Sequence, residues 1–334
     1  MATVVTFGEV LLRLSAEHSQ RIIQSNVFDV NYGGSEANVA AVLSQWGVQS
    51  EHVSQFSTND LGEAAIQSLQ KFGVAVSHSP RSHNRIGIYY LEHGHSLRAP
   101  KVVYDRFDSA FANLNPSAFD WEEILKDAKW FHWSGITPAI SASAAKACKE
   151  AIEVARKKRI VVSGDINYRR VLWQYGKTPL EIMPDLIAQC DVVIGGLTDF
   201  ENSLSIKATG EQAFEKVCKE VQKKYPQVKR IAKTLRDTRD ASYNQLQGLL
   251  WDGDKIIPSS TYTLSPISDR IGSGDSFMAG FIYQSLHGES DQTIIDFATA
   301  AAAYKHTIPG DVLLATVEEV SSITRNENIG KLLR

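Results

Sequence analysis

The stretch Asp269-Arg270-Ile271-Gly272-Ser273-Gly274-Asp275, followed by Ser276-Phe277-Met278-Ala279-Gly280-Phe281, organises the reading of the whole chain. Two glycines one residue apart open a run of helix formers, so several backbone N–H groups project from a helix N-terminus without intrahelical partners. Those donors, with the positive end of the helix dipole, attract anions. Asp275, in the first turn, then stands beside any phosphate held there, placed to take a proton from an attacking hydroxyl. The competing account is a glycine turn with an acidic residue that favours the helix start.

Other phosphate-binding patterns fit poorly. The third glycine of a dinucleotide fingerprint would fall at Phe277, with no βαβ context before it. Gly176-Lys177-Thr178 copies the tail of a Walker A loop, but the leading glycine position holds Val171. If this chain transfers phosphoryl groups, it does so without a P-loop.

The 334 residues suit one large α/β domain, or one domain with an accessory piece. A net charge of −3 creates no field that draws in nucleic acid or an anionic membrane, so neither is expected as a partner. The start Met1-Ala2-Thr3-Val4-Val5-Thr6-Phe7 lacks the basic and apolar blocks of a signal peptide, and the alanine-rich run Phe297 to Tyr304 is too short to span a membrane. Cys148, Cys190 and Cys218 lie far apart without metal-ligand spacing, as buried thiols in a reducing compartment do. A cytoplasmic protein is the expectation.

Outward from the glycine turn, short apolar runs alternate with helical patterns. Val4 to Phe7 reads as a buried strand. Glu36 to Leu43 reads as a helix, with Ser35 as its N-cap and Gly47 as its stop. Further strands are expected at His52 to Phe56, Trp130 to Trp133, Ile160 to Ser163, Val192 to Ile194 and Ile231 to Thr234. Helices are expected at Asp60 to Phe72, Ser141 to Arg156, Pro179 to Ala188, Glu211 to Lys224, Ser276 to Leu286 and Asp291 to His306. This alternation argues for parallel strands linked by helices, and Tyr243 to Trp251 with Lys255 to Ile257 adds a hairpin. The pattern breaks where Ile86 to Glu92 and Lys101 to Tyr104 flank the turn His93-Gly94-His95. That hairpin, with Phe28 to Tyr32, predicts a small separate sheet spanning about 9–32 and 84–108, placed to close over substrate as a lid.

Gly33-Gly34 and Asn38 near one end, with Gly272-Ser273-Gly274-Asp275 near the other, resemble the ribokinase-like carbohydrate kinases over essentially the full length. Within that family the chain is most similar to the 2-keto-3-deoxygluconate branch. The residues behind that likeness are Tyr104-Asp105-Arg106, Asp165-Ile166-Asn167-Tyr168-Arg169 with Leu172-Trp173, Lys233-Thr234-Leu235-Arg236, and Lys305-His306-Thr307-Ile308-Pro309-Gly310-Asp311. The resemblance implies an α/β fold, a doubly wound sandwich with a mostly parallel central sheet flanked by helices and a small β-sheet lid. It implies ATP-dependent phosphorylation of a sugar-acid primary hydroxyl, with Mg²⁺ as the metal. A neutral-sugar kinase such as a fructokinase, and a non-catalytic sugar-acid-binding protein, are the rival readings.

On this resemblance Asp275 is the base, and the amides of Gly272, Ser273 and Gly274 receive charge developing on the transferred phosphate. A planar guanidinium grips a carboxylate with two parallel hydrogen bonds, so Arg106 and Arg169 are the expected readers of a sugar acid. Both are surface arginines on the bland account. Tyr104 and Tyr89 would reach the sugar from the lid, with Tyr90 the alternative to Tyr89 because adjacent strand residues face opposite ways. Gly34 fits a place where backbone approaches substrate closely, or a plain turn. Asn38 would reach a sugar hydroxyl or bond locally, and Asp311 would hold the substrate's hydroxyl end or act as a cap. Asn167, Arg169, Thr234, Arg236, Arg239, Gly272 and Gly274 are expected around the nucleotide, with Thr234 to Arg239 as a glycine-free loop at a strand end. The family's N-x-x-E motif is replaced by Gly196-Leu197-Thr198-Asp199, leaving Asp199 to act on Mg²⁺ through water; no protein metal cage is expected. Edges of the lid need cover, so a homodimer through the lid is expected, with higher oligomers open.

Overall fold

The computed structural model describes residues 3–17, 20–325 and 327; positions 18 and 19 of the expected lid segment lie outside them. In chain order the strands are β1 (Val4–Phe7), β2 (Leu11–Ala16), β3 (Phe28–Gly33), β4 (Ser50–Val53), β5 (Phe56–Ser57), β6 (Arg81–Ser82), β7 (Ile88–Glu92), β8 (Lys101–Asp105), β9 (Trp130–Ser134), β10 (Val161–Asp165), β11 (Val192–Ile194), β12 (Arg230–Thr238), β13 (Asn244–Trp251), β14 (Ile256–Pro258) and β15 (Tyr262–Leu264). A nine-stranded sheet runs β14-β13-β12-β11-β10-β9-β1-β4, with β15 on β13. Its pairs from β4 to β12 are parallel, and β13 adds an antiparallel edge. Parallel strands buried on both faces read as unbroken apolar runs, as β1 does. Val4 enters the apolar layer on one side of the sheet, and Val5 and Phe7 enter the layer on the other.

The expected α/β frame is present. Two elements differ from the sequence reading in ways that bear on the site. The run from Thr234 is not a loop: β12 continues to Thr238, because β13 pairs with it in register from Ile231↔Trp251 to Thr238↔Asn244. Leu11–Ala16 forms a strand that was not expected; Arg13 and Ser15 interrupt its apolar pattern, and both prove to be buried.

β2 lies inside a second, four-stranded sheet in the order β3-β2-β7-β8. The pairings Arg13↔Asn31, Arg13↔Tyr89 and Tyr89↔Tyr104 align Asn31, Arg13, Tyr89 and Tyr104 in one rung. The next rung is Val30, Leu14, Tyr90 and Val103, and it takes the opposite face. Tyr89 is buried toward the main sheet, while Tyr90 packs edge-on against Phe28. Tyr89 is therefore the tyrosine that faces the cleft.

The glycine turn leads into the helix Ser273–Leu286, which lies along the alanine-rich helix Asp291–Lys305. A Cβ on Gly280 would stand 2.9 Å from the Ala298 Cα, so the axes approach more closely than larger side chains allow. That contact explains the alanine-rich run and braces the turn from behind. Among the described residues no helix is long and apolar enough to cross a membrane. All three cysteines are buried and free. Gly280→Val is expected to cost about 1–3 kcal/mol by overpacking, read from a urea denaturation midpoint; an unchanged midpoint at constant m-value contradicts so tight a crossing.

Candidate active site

A cleft of about 450 Å³ opens between the two sheets at the carboxyl ends of the parallel strands, where open α/β sheets hold ligands. Its floor is the N-terminus of the helix Ser273–Leu286. Gly272 precedes that helix with φ +80°, a left-handed conformation that favours glycine, and a Cβ there would lie 1.7 Å from the Asp311 carbonyl oxygen. Gly274 differs: an added Cβ meets nothing within 4 Å, so no protein atom demands a glycine. Open space beside first-turn amides suits a ligand that comes close to the backbone.

Asp275 stands in this first turn, partly buried in the cleft. Its Oδ1 accepts from the Ser35 hydroxyl at 2.8 Å and its Oδ2 from Asn38 Nδ2 at 2.7 Å. Burial pushes its pKa up to about 7, the two donors pull it down, and the charges of Asp311 and Glu36 push it up again. A carboxylate poised near neutral pH suits a general base. Ser35 is not the helix cap predicted for it: Gly34 is the N-cap of Ser35–Gln45, which frees the serine hydroxyl for Asp275. Asn38 likewise turns to Asp275, with its Oδ1 accepting from Gly34 N at 3.4 Å, and so orients that carboxylate where a sugar contact was expected. Gly34 lines the cleft, but its constraint is the Glu9 carbonyl oxygen, which a Cβ would meet at 2.0 Å.

On the side of the second sheet, Tyr89, Tyr104, Arg106 and Asp311 all line the cleft. Arg106 is no surface arginine: it is 3% exposed, and its Nε and Nη2 both donate to Glu9 Oε2, at 2.9 and 2.5 Å. Its guanidinium also lies 5.6 Å from the Tyr104 ring centroid. The Glu9 partnership corrects the picture of a free carboxylate reader and was illegible because Glu9 lies almost a hundred residues away. Asp311 caps no helix; it accepts from the Tyr89 hydroxyl at 2.9 Å and pairs with Arg13.

At the opposite end, Asn167, Arg169, Thr234 and Arg236 line the cleft together with Gly272 and Gly274. Asn167 has φ +38° and its N–H donates to Asp165 Oδ1 at 3.1 Å. Arg169 is exposed and donates from Nη1 to the Tyr168 carbonyl at 3.0 Å. Arg236 donates to Ser273 Oγ at 3.2 Å. Arg239 is the exception: it is absent from the cleft wall and its guanidinium lies 5.2 Å from the Tyr243 ring, because the extended β12 carries it away. Asp199 accepts the Gly196 N–H at 2.7 Å and the Tyr168 N–H at 3.1 Å, so it holds the start of its own helix.

Sequence reasoning missed several cleft residues. Asp165 ends β10, and its pKa is pushed up to about 8 by burial and then by the charges of Asp199 and Asp275, with Arg169 opposing. Arg270, inside the opening stretch, and Lys233, inside a quoted motif, also line the cleft. Arg236 and Arg270 line one end of the cleft, where burial and then the Arg270 charge work against the Arg236 guanidinium. A polyanion relieves such repulsion.

A carboxylate beside an amide cradle, with cations at one end and polar side chains at the other, suits a phosphotransferase for alcohol groups. Residues 1–313 match the pfkB family carbohydrate kinases, and the chain belongs to that family. The crystal structure of a 2-dehydro-3-deoxygluconokinase from Thermotoga maritima is similar, with 42% identity and a TM-score of 0.93 over 97% of this chain and 100% of that one. A 2-dehydro-3-deoxygalactonokinase from Haloferax volcanii is 27% identical over 98% of both chains. A 2-dehydro-3-deoxygluconokinase from Bacillus subtilis is 27% identical over 95% of this chain and 94% of that one.

Asp275→Asn is expected to lower kcat by about 10²–10⁴-fold with the circular dichroism spectrum unchanged. A base works ionised, so with Asp275 in that role kcat/KM should rise with pH through about 7 in the parent. Asn38→Ala removes a donor that favours the ionised form, so the rising limb should move to higher pH. A limb unmoved by this change rules out Asp275 as the titrating group.

Proposed function

We propose that the chain transfers the γ-phosphate of ATP to the primary hydroxyl of 2-dehydro-3-deoxygluconate (2-keto-3-deoxygluconate), yielding the 6-phosphate. The observation that carries this reading is the seating of Asp275 by Ser35 and Asn38 beside the free amides of the Gly272 turn. The names of the Thermotoga and Bacillus relatives support the sugar-acid class.

Asp275 accepts the proton of the attacking hydroxyl, whose oxygen bonds to the γ-phosphorus as the bond to the bridging β–γ oxygen breaks and ADP leaves. The amides of Gly272, Ser273 and Gly274 hold charge on the transferred group, and Arg236 and Arg270 hold the phosphates behind it. Tyr89 and Tyr104 cover the sugar from the second sheet, which acts as a lid and keeps water from competing with the hydroxyl. Arg169, exposed in the cleft, is the guanidinium for the sugar carboxylate; Arg106, bound to Glu9, stiffens the wall behind it.

Mg²⁺ fits the acidic end. Asp165 and Asp199 repel each other there, and Mg²⁺ takes one or two carboxylates together with waters and phosphate oxygens. Bound there, the metal would neutralise phosphate charge; Asp165 would touch it, and Asp199, committed to two backbone N–H groups, would act through water.

Assembly is proposed through the outer face of the second sheet. Its outward rung exposes Val30 by 59% and Val103 by 41%, an apolar surface that a second copy of this chain would cover. Sedimentation should find a dimer, and the double variant Val30→Asp, Val103→Asp a monomer; a monomeric parent sinks this part of the reading.

An ADP-release assay with 2-dehydro-3-deoxygluconate, its C4 epimer, fructose and ribose tests the reaction. The acidic sugars should be preferred, and Arg169→Ala should raise their KM about 10–100-fold, as loss of a charge-assisted hydrogen bond does, leaving fructose and ribose unchanged. A preference for a neutral sugar, or equal losses on both kinds, overturns the carboxylate assignment. Binding of a sugar acid without ADP release makes the chain a binding protein.

A further inference from the structure

Arg13 joins the second sheet to the floor of the cleft. It sits in the middle of β2, 1% exposed, and does not line the cleft. Its Nη2 donates to Asp269 Oδ2 at 2.5 Å, its Nη1 to Asp311 Oδ1, and its Nε to Ser15 Oγ at 2.7 Å. The two carboxylates belong to different segments with different work. Asp269 opens the glycine turn: its Oδ1 accepts the Ile271 N–H at 3.0 Å, and its Oδ2 accepts the Gly310 N–H at 3.1 Å. Asp311 lines the cleft, takes the Tyr89 hydroxyl, and presses its carbonyl against Gly272. Nearby, the buried Lys305 donates to the Ile308 carbonyl at 2.8 Å and stiffens the same segment.

A single guanidinium thus reads two positions at once: the seat of the lid, through its own strand and the neighbouring Tyr89, and the alignment of the amides that begin at Gly272. We propose that Arg13 is a positioning residue for phosphoryl transfer, making closure of the second sheet over the sugar and alignment of the Gly272–Gly274 cradle one event. The proposal rests on the kinase reading above. An arginine suits the task because its planar fork spans two acceptors, whereas a lysine ammonium is a single point of charge. By reciprocity, whatever orders the cradle must also order the strand that carries Arg13.

The test compares the full-length parent with Arg13→Lys and Arg13→Gln. In Arg13→Gln, kcat should fall about 10–100-fold, as misplacement of a catalytic group by a fraction of an ångström to an ångström does, with KM for ATP within about twofold. ADP formed per sugar phosphate should rise above one, because a loosened lid admits water. Arg13→Lys should recover part of kcat without restoring that ratio. A purely structural ion pair would lower the melting temperature and leave kcat and the ratio alone, which overturns the proposal. Amide hydrogen exchange on the parent with ATP and Mg²⁺ but no sugar is the second arm, independent of the sugar's identity and of whether the variants fold. Slower exchange in Leu11–Ala16 supports the coupling, and exchange unchanged there overturns it. If the parent turns over no sugar yet ATP protects Leu11–Ala16, the assigned reaction fails and the coupling stands.

Discussion

Ser35 and Asn38 hold the two oxygens of Asp275 from 240 and 237 residues away. The rest of the site follows from keeping that contact. It requires the helix Ser35–Gln45, which follows the second sheet's β3, to lie against the helix Ser273–Leu286 near the other end of the chain. β1 and β4, at one end of the main sheet, anchor the first helix, and the alanine-rich partner at Gly280 and Ala298 anchors the second. The fold is in this sense a frame that brings two helix starts together. One supplies the donors that orient a carboxylate; the other supplies the amides beside which it works.

Electrostatics explains why the frame must be rigid. Glu9, Glu36, Asp165, Asp199, Asp275 and Asp311 all border one cleft, and unpaired they would repel. The structure assigns most of them a partner. Glu9 has Arg106, Asp311 has Arg13, and Glu36 accepts from the Ser134 backbone and from the hydroxyls of Ser134 and Thr137. Burial raises the pKa values of Glu36, Asp165 and Asp275 alike, and such clustering of perturbed groups is common at functional sites.

Much of this was legible in the sequence because it depends on local pattern. The glycine turn, the parallel strands and the hairpin of the second sheet announce themselves through spacing and apolar runs. What stayed hidden depends on partners far along the chain. Arg106 looks like a free guanidinium until Glu9 is set against it, and Asn38 looks like a sugar ligand until Asp275 arrives. Arg13 breaks the apolar run of β2 and so hid both the strand and the ion pairs that make its burial tolerable. The loop expected at Thr234 to Arg239 failed for a related reason. Its strand character comes from antiparallel pairing with β13, a tertiary contact that overrides local composition.

The same charge arrangement bears on why an acidic sugar suits the site. On the proposed reading an acidic sugar brings a carboxylate whose charge an arginine at the cleft wall would meet. Arg106 cannot do this alone, because Glu9 already holds two of its nitrogens. Arg169, exposed, is the group with charge to spare, and the same guanidinium opposes the raised pKa of Asp165. Engaging it with a sugar carboxylate would weaken its hold on Asp165 and leave that carboxylate in greater need of a divalent cation. Sugar recognition and metal recruitment would then meet in one side chain.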